Sequence, residues 1–253
     1  MVERWPTGTE VRWVSLRGGR MLYDASRARN ATASWFDPYW WSERARLRHS
    51  SEGRGAALFI DTAERPLVLR HYRRGGFIAQ LSRDRYVWRG EMATRSVAEW
   101  MLLYQLRRAG LPVPAPIAAR YQRHGLTYSA DLIIERIEQT HSLAQYLREE
   151  ALPLDGWTAI GRCLRRFHRA GVYHADLNAH NVLLGPQRRI WLIDFDRGRL
   201  RRPGFWCDGN LVRLRRSVEK VADILPSDRF CETDWLALLD GYFAASEPAT
   251  ADG

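Results

Sequence analysis

One short segment, GVYHADLNAHNVLL (171–184), constrains the fold of this chain more strongly than any other. Apolar residues stand at both of its ends, while two histidines, one aspartate and two asparagines lie between Tyr173 and Val182. A core strand would bury those polar groups without partners, at a cost of roughly 1–3 kcal/mol each. An ordinary surface loop has no need of apolar anchors on both sides. The pattern therefore predicts a polar loop held between two buried elements.

The elements on either side of this loop are predicted from their periodicity. LDGWTAIGRCLRRFHRAG (154–171) indicates a helix, with Asp155 as a cap at its start and Gly171 as its end. Its apolar residues recur at the spacing of one helical face, at Ile160, Cys163, Leu164 and Phe167. After the loop, RRIWLIDFD (188–196) predicts a short apolar strand that ends on acidic residues.

The rest of the chain gives an order of elements. Residues 1–50 show no clear periodicity, and we expect them to be irregular. Strands are predicted within 53–62, 66–76 and 126–137, and helices within 95–110, from about 138, and near 234–246. Strands followed by helices predict an α+β fold with a β-rich N-terminal lobe, 1–138, and an α-rich C-terminal lobe, 139–253.

The composition limits the classes of protein to which this chain can belong. The chain has 253 residues, of which 45% are apolar and 27% charged, so it can bury a substantial core. No segment approaches the roughly 20 apolar residues that span a bilayer. The N-terminus, MVERWPTGTE, has no apolar stretch, and we expect no signal peptide. Three widely spaced cysteines predict reduced thiols in a cytosolic protein.

The charge indicates the kind of partner. A formal net charge of +10 favours anionic partners: nucleic acid, phosphorylated ligands or an acidic membrane face. Lysine and arginine together number 39, yet Lys220 is the single lysine. Any role that needs a cation elsewhere in the chain must therefore be filled by arginine.

Three polar residues indicate the chemistry. Asp176 and Asn181 stand five residues apart, and Asp194 lies 18 residues beyond Asp176. His-x-Asp-x-x-x-x-Asn followed by Ile-Asp-Phe-Asp is typical of protein-kinase-like phosphotransferases. We expect Asp176 to orient and deprotonate an attacking hydroxyl, and Asn181 with Asp194 to hold Mg²⁺ on the phosphates of ATP. The alternative is a purely structural Asx-rich turn, and His174 is expected only to brace the loop.

The N-terminal half offers candidate nucleotide contacts. Gly53, Arg54 and Gly55 form a short glycine-rich stretch between two predicted strands, although a plain hairpin turn explains it as well. Arg70, in PLVLRHY, stands where such kinases carry a lysine on the nucleotide phosphates. Arginine presents a planar fork of donors instead of a point charge.

The sequence leaves the ion-pair partner of Arg70 open. Glu99 would be its acidic helix partner, but Ser96-x-x-Glu99 is also a capping box, and Glu91 is the reserve candidate. In IIERIE, the backbone groups from Glu135 to Ile137 are expected to contact adenine.

Several segments narrow the family. GRGAALFI, LVLRHYRRGG, GLPVPAP, HADLNAHNVLL and LIDFDRGRLR together resemble the 3-deoxy-D-manno-octulosonic acid (Kdo) kinases of Gram-negative bacteria, in the lipopolysaccharide kinase group. The resemblance spans roughly residues 49–216, and it includes the arginine of LVLRHYRRGG. One departure is Asp196, which replaces the glycine of the usual Asp-Phe-Gly.

The resemblance implies a two-lobed, protein-kinase-like fold and ATP-dependent, Mg²⁺-dependent phosphorylation of Kdo at O-4 on Kdo–lipid IVA. It also implies a peripheral location on the cytoplasmic face of the inner membrane, with no nucleic-acid partner. From 197 to 216 the chain has seven arginines and one acid, Asp208, which suits an anionic acceptor and membrane. The candidate acceptor contacts are Arg197, Arg199, Arg201 and Arg202.

Other interpretations stay open from the sequence. A soluble small-molecule kinase of the aminoglycoside or choline type shares the same loop motif. A non-catalytic basic protein that binds RNA or membrane on a kinase-like fold is the second alternative. A protein kinase is less favoured because no Ala-Pro-Glu follows Asp196. The cluster WFDPYWW (35–41) would either pack in the core or lie at a lipid interface.

Overall fold

The computed structural model describes residues 10–49, 57–73 and 84–244. The chain divides into two compact units between Glu138 and Gln139. The first unit is dominated by strands and the second by helices, which confirms the predicted α+β class.

The first unit is built on one antiparallel sheet. Its strands are β1 Val11–Leu16, β2 Gly19–Asp24, β3 Arg46–His49, β4 Ala57–Asp61, β5 Pro66–His71, β6 Tyr86–Val87, β7 Pro116–His124 and β8 Thr127–Glu135. Within the described residues they lie in the order β1-β2-β7-β8-β5-β4-β3, and β6 pairs with β8. Two helices accompany the sheet, α1 Pro38–Ser42 and α2 Arg95–Arg108.

The core of this unit lies on both faces of the sheet. Every residue of β8 from Tyr128 to Ile134 is buried, and the two polar side chains among them, Ser129 and Asp131, hydrogen-bond to His124 and Arg120. Helix α2 packs on β7 and β8, and its Trp100 and Leu103 are almost fully buried. Burying each of these side chains contributes about 1.5–3 kcal/mol.

The aromatic cluster of residues 35–41 is largely core. Phe36 and Trp41 are buried in the same apolar cluster as the strand residues, with Trp35 and Trp40 packed against it. The indole Nε1 of Trp41 donates to Trp35 O at 2.6 Å. Tyr39 alone of these five aromatic residues is well exposed. Core packing therefore accounts for the cluster.

The expectation that residues 1–50 are irregular is wrong for the part that the structure describes. Strands β1 and β2 form a hairpin around Gly18, whose φ is +80°. A side chain at Gly19 would meet Tyr121 O at 2.0 Å on the neighbouring strand β7. Only Val11, Trp13 and Leu16 of β1 are even partly buried, and they do not alternate strictly, so this strand lacks the regular pattern of a half-buried strand.

The second unit is mainly helical. Its helices are α3 Leu143–Glu149, α4 Leu154–Arg169, α5 Trp206–Ala222 and α6 Glu232–Phe243. Short strands connect them: β9 His141–Ser142, β10 Val172–Tyr173, β11 Val182–Leu184, β12 Ile190–Leu192 and β13 Arg199–Leu200. In the part of the chain that the structure describes, no helix combines the length and apolar character that a bilayer span requires.

Helix α4 matches its predicted face but not its predicted cap. Its predicted apolar face is buried as expected. The N-cap is Pro153, without a side-chain cap, and Asp155 lies inside the first turn and pairs with Arg188. A carboxylate in the first turn still stabilises the helix through its dipole. Gly171 follows the end of the helix with a φ of +74°, as predicted.

Helices α4 and α6 approach each other through two glycines. A Cβ atom at Gly161 would lie 1.9 Å from Leu238 O, and one at Gly241 would lie 2.1 Å from Thr158 O. Since both obstacles are backbone atoms, a larger residue at either position would force the helices apart.

We therefore expect Gly161→Ala to lower the free energy of unfolding by about 1–3 kcal/mol through overpacking. Gly209, in α5, is the matched control because a Cβ atom there meets nothing within 4 Å. Gly209→Ala should raise stability by up to about 1 kcal/mol through helix propensity. Urea denaturation followed by circular dichroism measures both; equal effects of the two substitutions would contradict the close helix contact.

Candidate active site

The polar loop of residues 174–181 lies in the second unit, where β11 and β12 fix its position. Val182 pairs with Leu192 in the antiparallel hairpin, and the N–H of Ile193 donates to Asn181 O at 3.1 Å. Asn181 therefore lies beside the residue that directly precedes Asp194. Two of the three predicted chemical residues are brought together by this hairpin.

The third, Asp176, is tied to Asn181 through its backbone. The side-chain Nδ2 of Asn181 donates to Asp176 O at 2.9 Å, and that of Asn178 donates to the same carbonyl at 3.0 Å. Because Asn181 uses its amide nitrogen here, its Oδ1 is the atom that a cation would bind. Asn181 is buried, so this orientation is held firmly.

The carboxylate of Asp176 is accessible. Its side chain is 68% exposed, and Arg213 Nη1 lies 4.0 Å from Oδ1. Asn178 Nδ2 also donates to Asp176 Oδ2 at 3.2 Å. The backbone of Asp176 is thus fixed from several sides, while its carboxylate remains within reach of a substrate from solvent.

His174 braces the loop, as expected. Its ring is 2% exposed; Nε2 donates to Ile193 O at 2.9 Å, and Nδ1 accepts from the N–H of Asp176 at 3.2 Å. This arrangement requires the neutral tautomer with its proton on Nε2. Burial lowers the pKa of His174, which keeps that neutral form at physiological pH.

Asn210 is a structural partner of the loop that sequence reasoning missed. From α5 its Oδ1 accepts from the N–H of His174 at 3.3 Å, and its Nδ2 donates to His174 O at 2.8 Å. It is 2% exposed and shares the buried face of α5 with Cys207, Leu211 and Leu214. An asparagine within that apolar stripe was the available signal.

The Asp194 segment is pinned by an aromatic ring. Phe195 is fully buried and lies 5.9 Å from the Phe167 ring and 4.8 Å from the His174 ring. Asp194 itself has a φ of +63°, an uncommon conformation for a residue with a side chain. Such local strain is maintained by surrounding structure and clusters at functional sites.

The residues present fit a magnesium ion. In the described ranges, no group of three or more His, Cys, Asp or Glu is placed to hold a metal. Asn181 and Asp194 instead offer one amide oxygen and one carboxylate. Mg²⁺ in phosphate-transfer sites takes one or two protein oxygens, with waters and substrate phosphates completing its shell.

In the first unit, the ion pair predicted for Arg70 is present. Its Nη1 donates to Glu99 Oε1 at 2.8 Å, and Tyr72 Oη donates to Glu99 Oε2 at 2.5 Å. The Glu99 side chain is only 1% exposed, so its charge depends on these partners.

The two alternatives to this pair, a capping box at Ser96 and Glu91 as the partner of Arg70, are absent from the described residues. Ser96 Oγ donates to Arg120 O at 2.8 Å, and Thr94 is the N-cap of α2, so no capping box forms at Ser96. Glu91 contacts Arg20 at 2.9 Å and accepts from Tyr121 Oη at 2.6 Å.

The structure describes only some of the other residues predicted to contact the nucleotide. Gly53, Arg54 and Gly55 lie outside the described residues. The N–H of Glu135 donates to Ala115 O at 2.9 Å, so an adenine contact from Glu135 would have to use its carbonyl oxygen. The Glu135 side chain accepts from Arg27 at 3.2 Å, and Ile137 follows just after β8.

The arginine segment after Asp196 lies beside the loop. Strand β13 pairs with β10, which leads directly into His174. The guanidinium groups of Arg199 and Arg201 lie 5.7 Å and 5.1 Å from the centre of the Tyr173 ring. The exposed members of this segment include Arg197, Arg199, Arg201 and Arg202.

A strand-bounded loop with Asp176 and Asn181, followed by a hairpin that ends on Asp194, defines a protein-kinase-like phosphotransferase. Residues 38–242 match the lipopolysaccharide kinase (Kdo/WaaP) family, and the chain belongs to it. This membership confirms the resemblance found in the sequence.

Three curated relatives share one name. The chain is 50% identical over 206 residues to a 3-deoxy-D-manno-octulosonic acid kinase of Xylella fastidiosa (strain M12), covering 81% of this chain and 82% of that protein. It is 48% identical over 204 residues to a protein of the same name in Xanthomonas axonopodis pv. citri (strain 306), covering 80% and 81%. It is also 48% identical over 204 residues to a 3-deoxy-D-manno-octulosonic acid kinase of Xanthomonas campestris pv. campestris (strain B100).

The bracing role of Asn210 leads to a stability prediction. Asn210→Ala would leave two buried backbone groups of His174 without partners, and each costs about 1–3 kcal/mol. We expect a matching loss in the free energy of unfolding, together with a fall in turnover. Asn178→Ala, which also removes bonds to the loop but at a partly exposed site, should cost less in denaturant titrations. An Asn210→Ala protein of unchanged stability would refute the brace.

Proposed function

We propose that this chain is an ATP-dependent kinase that phosphorylates the O-4 hydroxyl of Kdo on Kdo–lipid IVA during assembly of the lipopolysaccharide inner core. The observation that best supports this proposal is the loop in which Asn181 is hydrogen-bonded to both Asp176 and Ile193, beside Asp194. Membership of the family and the names of the relatives support the acceptor class. The position O-4 and the lipid-linked form rest on the family resemblance.

Asp176 is the proposed catalytic residue. Its exposed carboxylate aligns the acceptor hydroxyl and accepts its proton as the hydroxyl oxygen attacks the γ-phosphorus of ATP. The bond from the sugar oxygen to phosphorus forms while the bond from phosphorus to the ADP oxygen breaks, in line with it. No covalent enzyme intermediate is needed. The neutral His174 keeps the Asp176 backbone fixed throughout.

Asn181 and Asp194 are the proposed magnesium ligands. Bound Mg²⁺ would neutralise charge on the nucleotide phosphates. The hydrogen bond from the Asn181 side-chain amide to Asp176 O leaves Oδ1 of Asn181 to bind the metal ion. The hairpin contact between Asn181 and Ile193 sets the spacing between the two ligand residues.

Arg70 is the proposed phosphate clamp. Its guanidinium is held by Glu99, whose second oxygen is occupied by Tyr72. A guanidinium carries five N–H donors on three nitrogens, so an arginine can bind a carboxylate and a phosphate oxygen through different nitrogens. Gly53, Arg54 and Gly55 are proposed to approach the phosphates through their backbone, and Glu135 with Ile137 to contact adenine.

The acceptor is proposed to meet the arginine segment. Its candidate contacts, which sit beside the catalytic loop on β13 and its flanks, are Arg197, Arg199, Arg201 and Arg202. Kdo–lipid IVA carries phosphates and a carboxylate, so arginine forks suit it. The enzyme would therefore act at the anionic cytoplasmic face of the inner membrane.

The acceptor assay tests this proposal. Purified protein with ATP and Mg²⁺ should transfer phosphate to Kdo–lipid IVA and leave soluble amino-sugars and choline unmodified, as measured by radiolabel transfer. Transfer to the soluble compounds alone would establish the aminoglycoside- or choline-type activity instead. Transfer to neither would favour a non-catalytic binding protein.

Asp176→Asn separates catalysis from nucleotide binding. The substitution keeps the size of the side chain and removes its ability to accept a proton, so we expect a loss of at least about 100-fold in kcat. ATP affinity, measured by calorimetry, should be unchanged. Asp223→Asn, the same change at an exposed carboxylate at the end of α5, is the matched control and should leave kcat and ATP affinity unchanged. Loss of ATP affinity with activity would place Asp176 in the nucleotide site.

A further inference from the structure

Helix α5 places one arginine beside the exposed carboxylate of the polar loop. This residue is Arg213, whose Nη1 lies 4.0 Å from Oδ1 of Asp176. Among the described residues, Asp176 is the one carboxylate within ion-pair distance of this guanidinium. Arg215, two residues further on, is instead held by Glu219 at 2.8 Å and by Glu232 at 2.6 Å. Arg213, unlike Arg215, therefore keeps its donors for a ligand.

The position of Arg213 along its helix is fixed from both sides. One turn earlier, Asn210 hydrogen-bonds to the backbone N–H and C=O of His174. One turn later, Ser217 Oγ accepts from the N–H of Ala179 at 3.0 Å. Residues three and four apart share one face of a helix, so these three side chains of α5 all face the loop. The start of the Arg213 side chain is thus held in register with the loop, although its end is half exposed.

The contact between Arg213 and Asp176 is too loose for a structural ion pair. Its separation of 4.0 Å exceeds the roughly 2.7–2.9 Å of a charge-assisted hydrogen bond. The two side chains are 51% and 68% exposed, and ion pairs this exposed contribute little to stability. A guanidinium carries five N–H donors, and none of them reaches Asp176 at hydrogen-bond distance. The contact therefore suits substrate binding better than maintenance of the fold.

The two carboxylate oxygens of Asp176 have different neighbours. Asn178 Nδ2 donates to Oδ2 at 3.2 Å, whereas Oδ1 is the oxygen that faces Arg213. Within the part of the chain that the structure describes, Oδ2 already accepts a hydrogen bond and Oδ1 does not, so Oδ1 is the better acceptor for a substrate hydroxyl. A sugar bound through that hydroxyl would lie beside the guanidinium, with its other polar groups within reach of Arg213.

We infer that Arg213 binds the carboxylate of an acidic acceptor sugar and so holds the sugar hydroxyl against Asp176. Since the proposed acceptor is a sugar acid, this role of Arg213 rests on the proposed function. A guanidinium fork matches a carboxylate with two parallel hydrogen bonds, and a neutral sugar offers it no such partner. Arg213 would thereby select acidic sugars over neutral ones, and also over amino-sugars, whose ammonium group it repels.

Steady-state kinetics with Kdo–lipid IVA test the residue. Arg213→Ala should raise the KM for the acceptor at least about ten-fold, the loss expected for a hydrogen bond to a charged group, while the KM for ATP and the thermal unfolding midpoint stay unchanged. Arg213→Lys keeps the charge without the fork, so its acceptor KM should fall in between. Arg162→Ala is the matched control, with the same loss of charge at an exposed position on α4, and should leave both KM values unchanged. An unchanged acceptor KM in Arg213→Ala would overturn the inference.

A modified acceptor identifies the group that Arg213 binds. When the Kdo carboxylate is converted to a carboxamide, the unaltered protein should lose at least about ten-fold in kcat/KM, and Arg213→Ala should lose almost nothing further. Such coupling between the two changes marks a direct contact. Equal losses in both proteins would show that Arg213 binds another group, such as a lipid phosphate, and would overturn the inference. A fall in kcat alone, equal for the two acceptors, would place Arg213 on the transferred phosphoryl group, with the same consequence.

Equilibrium binding separates this role from the proposed function, because it requires no transfer. In the absence of ATP, Arg213→Ala should bind Kdo–lipid IVA at least about ten-fold more weakly than the unaltered protein, and the two proteins should bind the carboxamide equally. That result in a protein that transfers phosphate to no acceptor would retain the Arg213 contact and remove the proposed function. Transfer to Kdo–lipid IVA by an Arg213→Ala protein of unaltered acceptor affinity would do the reverse. Absence of both binding and transfer would overturn both.

Discussion

The polar loop of residues 174–181 depends on the two hydrogen bonds made by the buried ring of His174. One ring nitrogen accepts from the N–H of Asp176 and the other donates to Ile193 O, so a single side chain joins the start of the loop to the strand before Asp194. The ring can do both only while neutral, and burial lowers its pKa accordingly. Asn210 then satisfies the backbone of His174 itself. Polar residues that look costly in an apolar setting are therefore each satisfied by a neighbour.

A second buried charge organises the first unit in a different way. Glu99 is almost fully enclosed, and Arg70 and Tyr72 each take one of its oxygens. Removing either partner would leave a buried carboxylate partly unpaired, which costs far more than the pair contributes. In a chain whose single lysine is Lys220, arginine fills this position. The planar guanidinium can face Glu99 with one nitrogen and still offer donors elsewhere, which a lysine ammonium does with less directional control.

The sequence predicts strongly patterned segments well and weakly patterned ones poorly. The buried face of α4, the apolar strand β12 and the pair Arg70–Glu99 all follow from periodicity or from motif spacing. Strand β1 was missed because its partly buried residues, Val11, Trp13 and Leu16, do not alternate strictly as those of a half-buried strand do. Strand β2 was missed because its apolar run, residues 21–23, is only three residues long. Asp155 was wrongly predicted as the cap because aspartate is favoured at N-caps, whereas the N-cap of α4 is Pro153. Asn210 could not be linked to His174 because the two stand 36 residues apart and meet only in the fold.

The arginine segment and the polar loop of the second unit share one strand. Strand β10 pairs with β13 and then continues directly into His174, so a shift of the arginine segment must alter the entry into the loop. Gly171 maintains this arrangement at the point where the helix α4 ends, by a conformation and a close approach that other residues would disturb. Phe195 links the same helix to the loop, because its ring packs on Phe167 of α4 and on His174. A single helix end, one ring and one strand pairing thus set the position of Asp176 within the second unit.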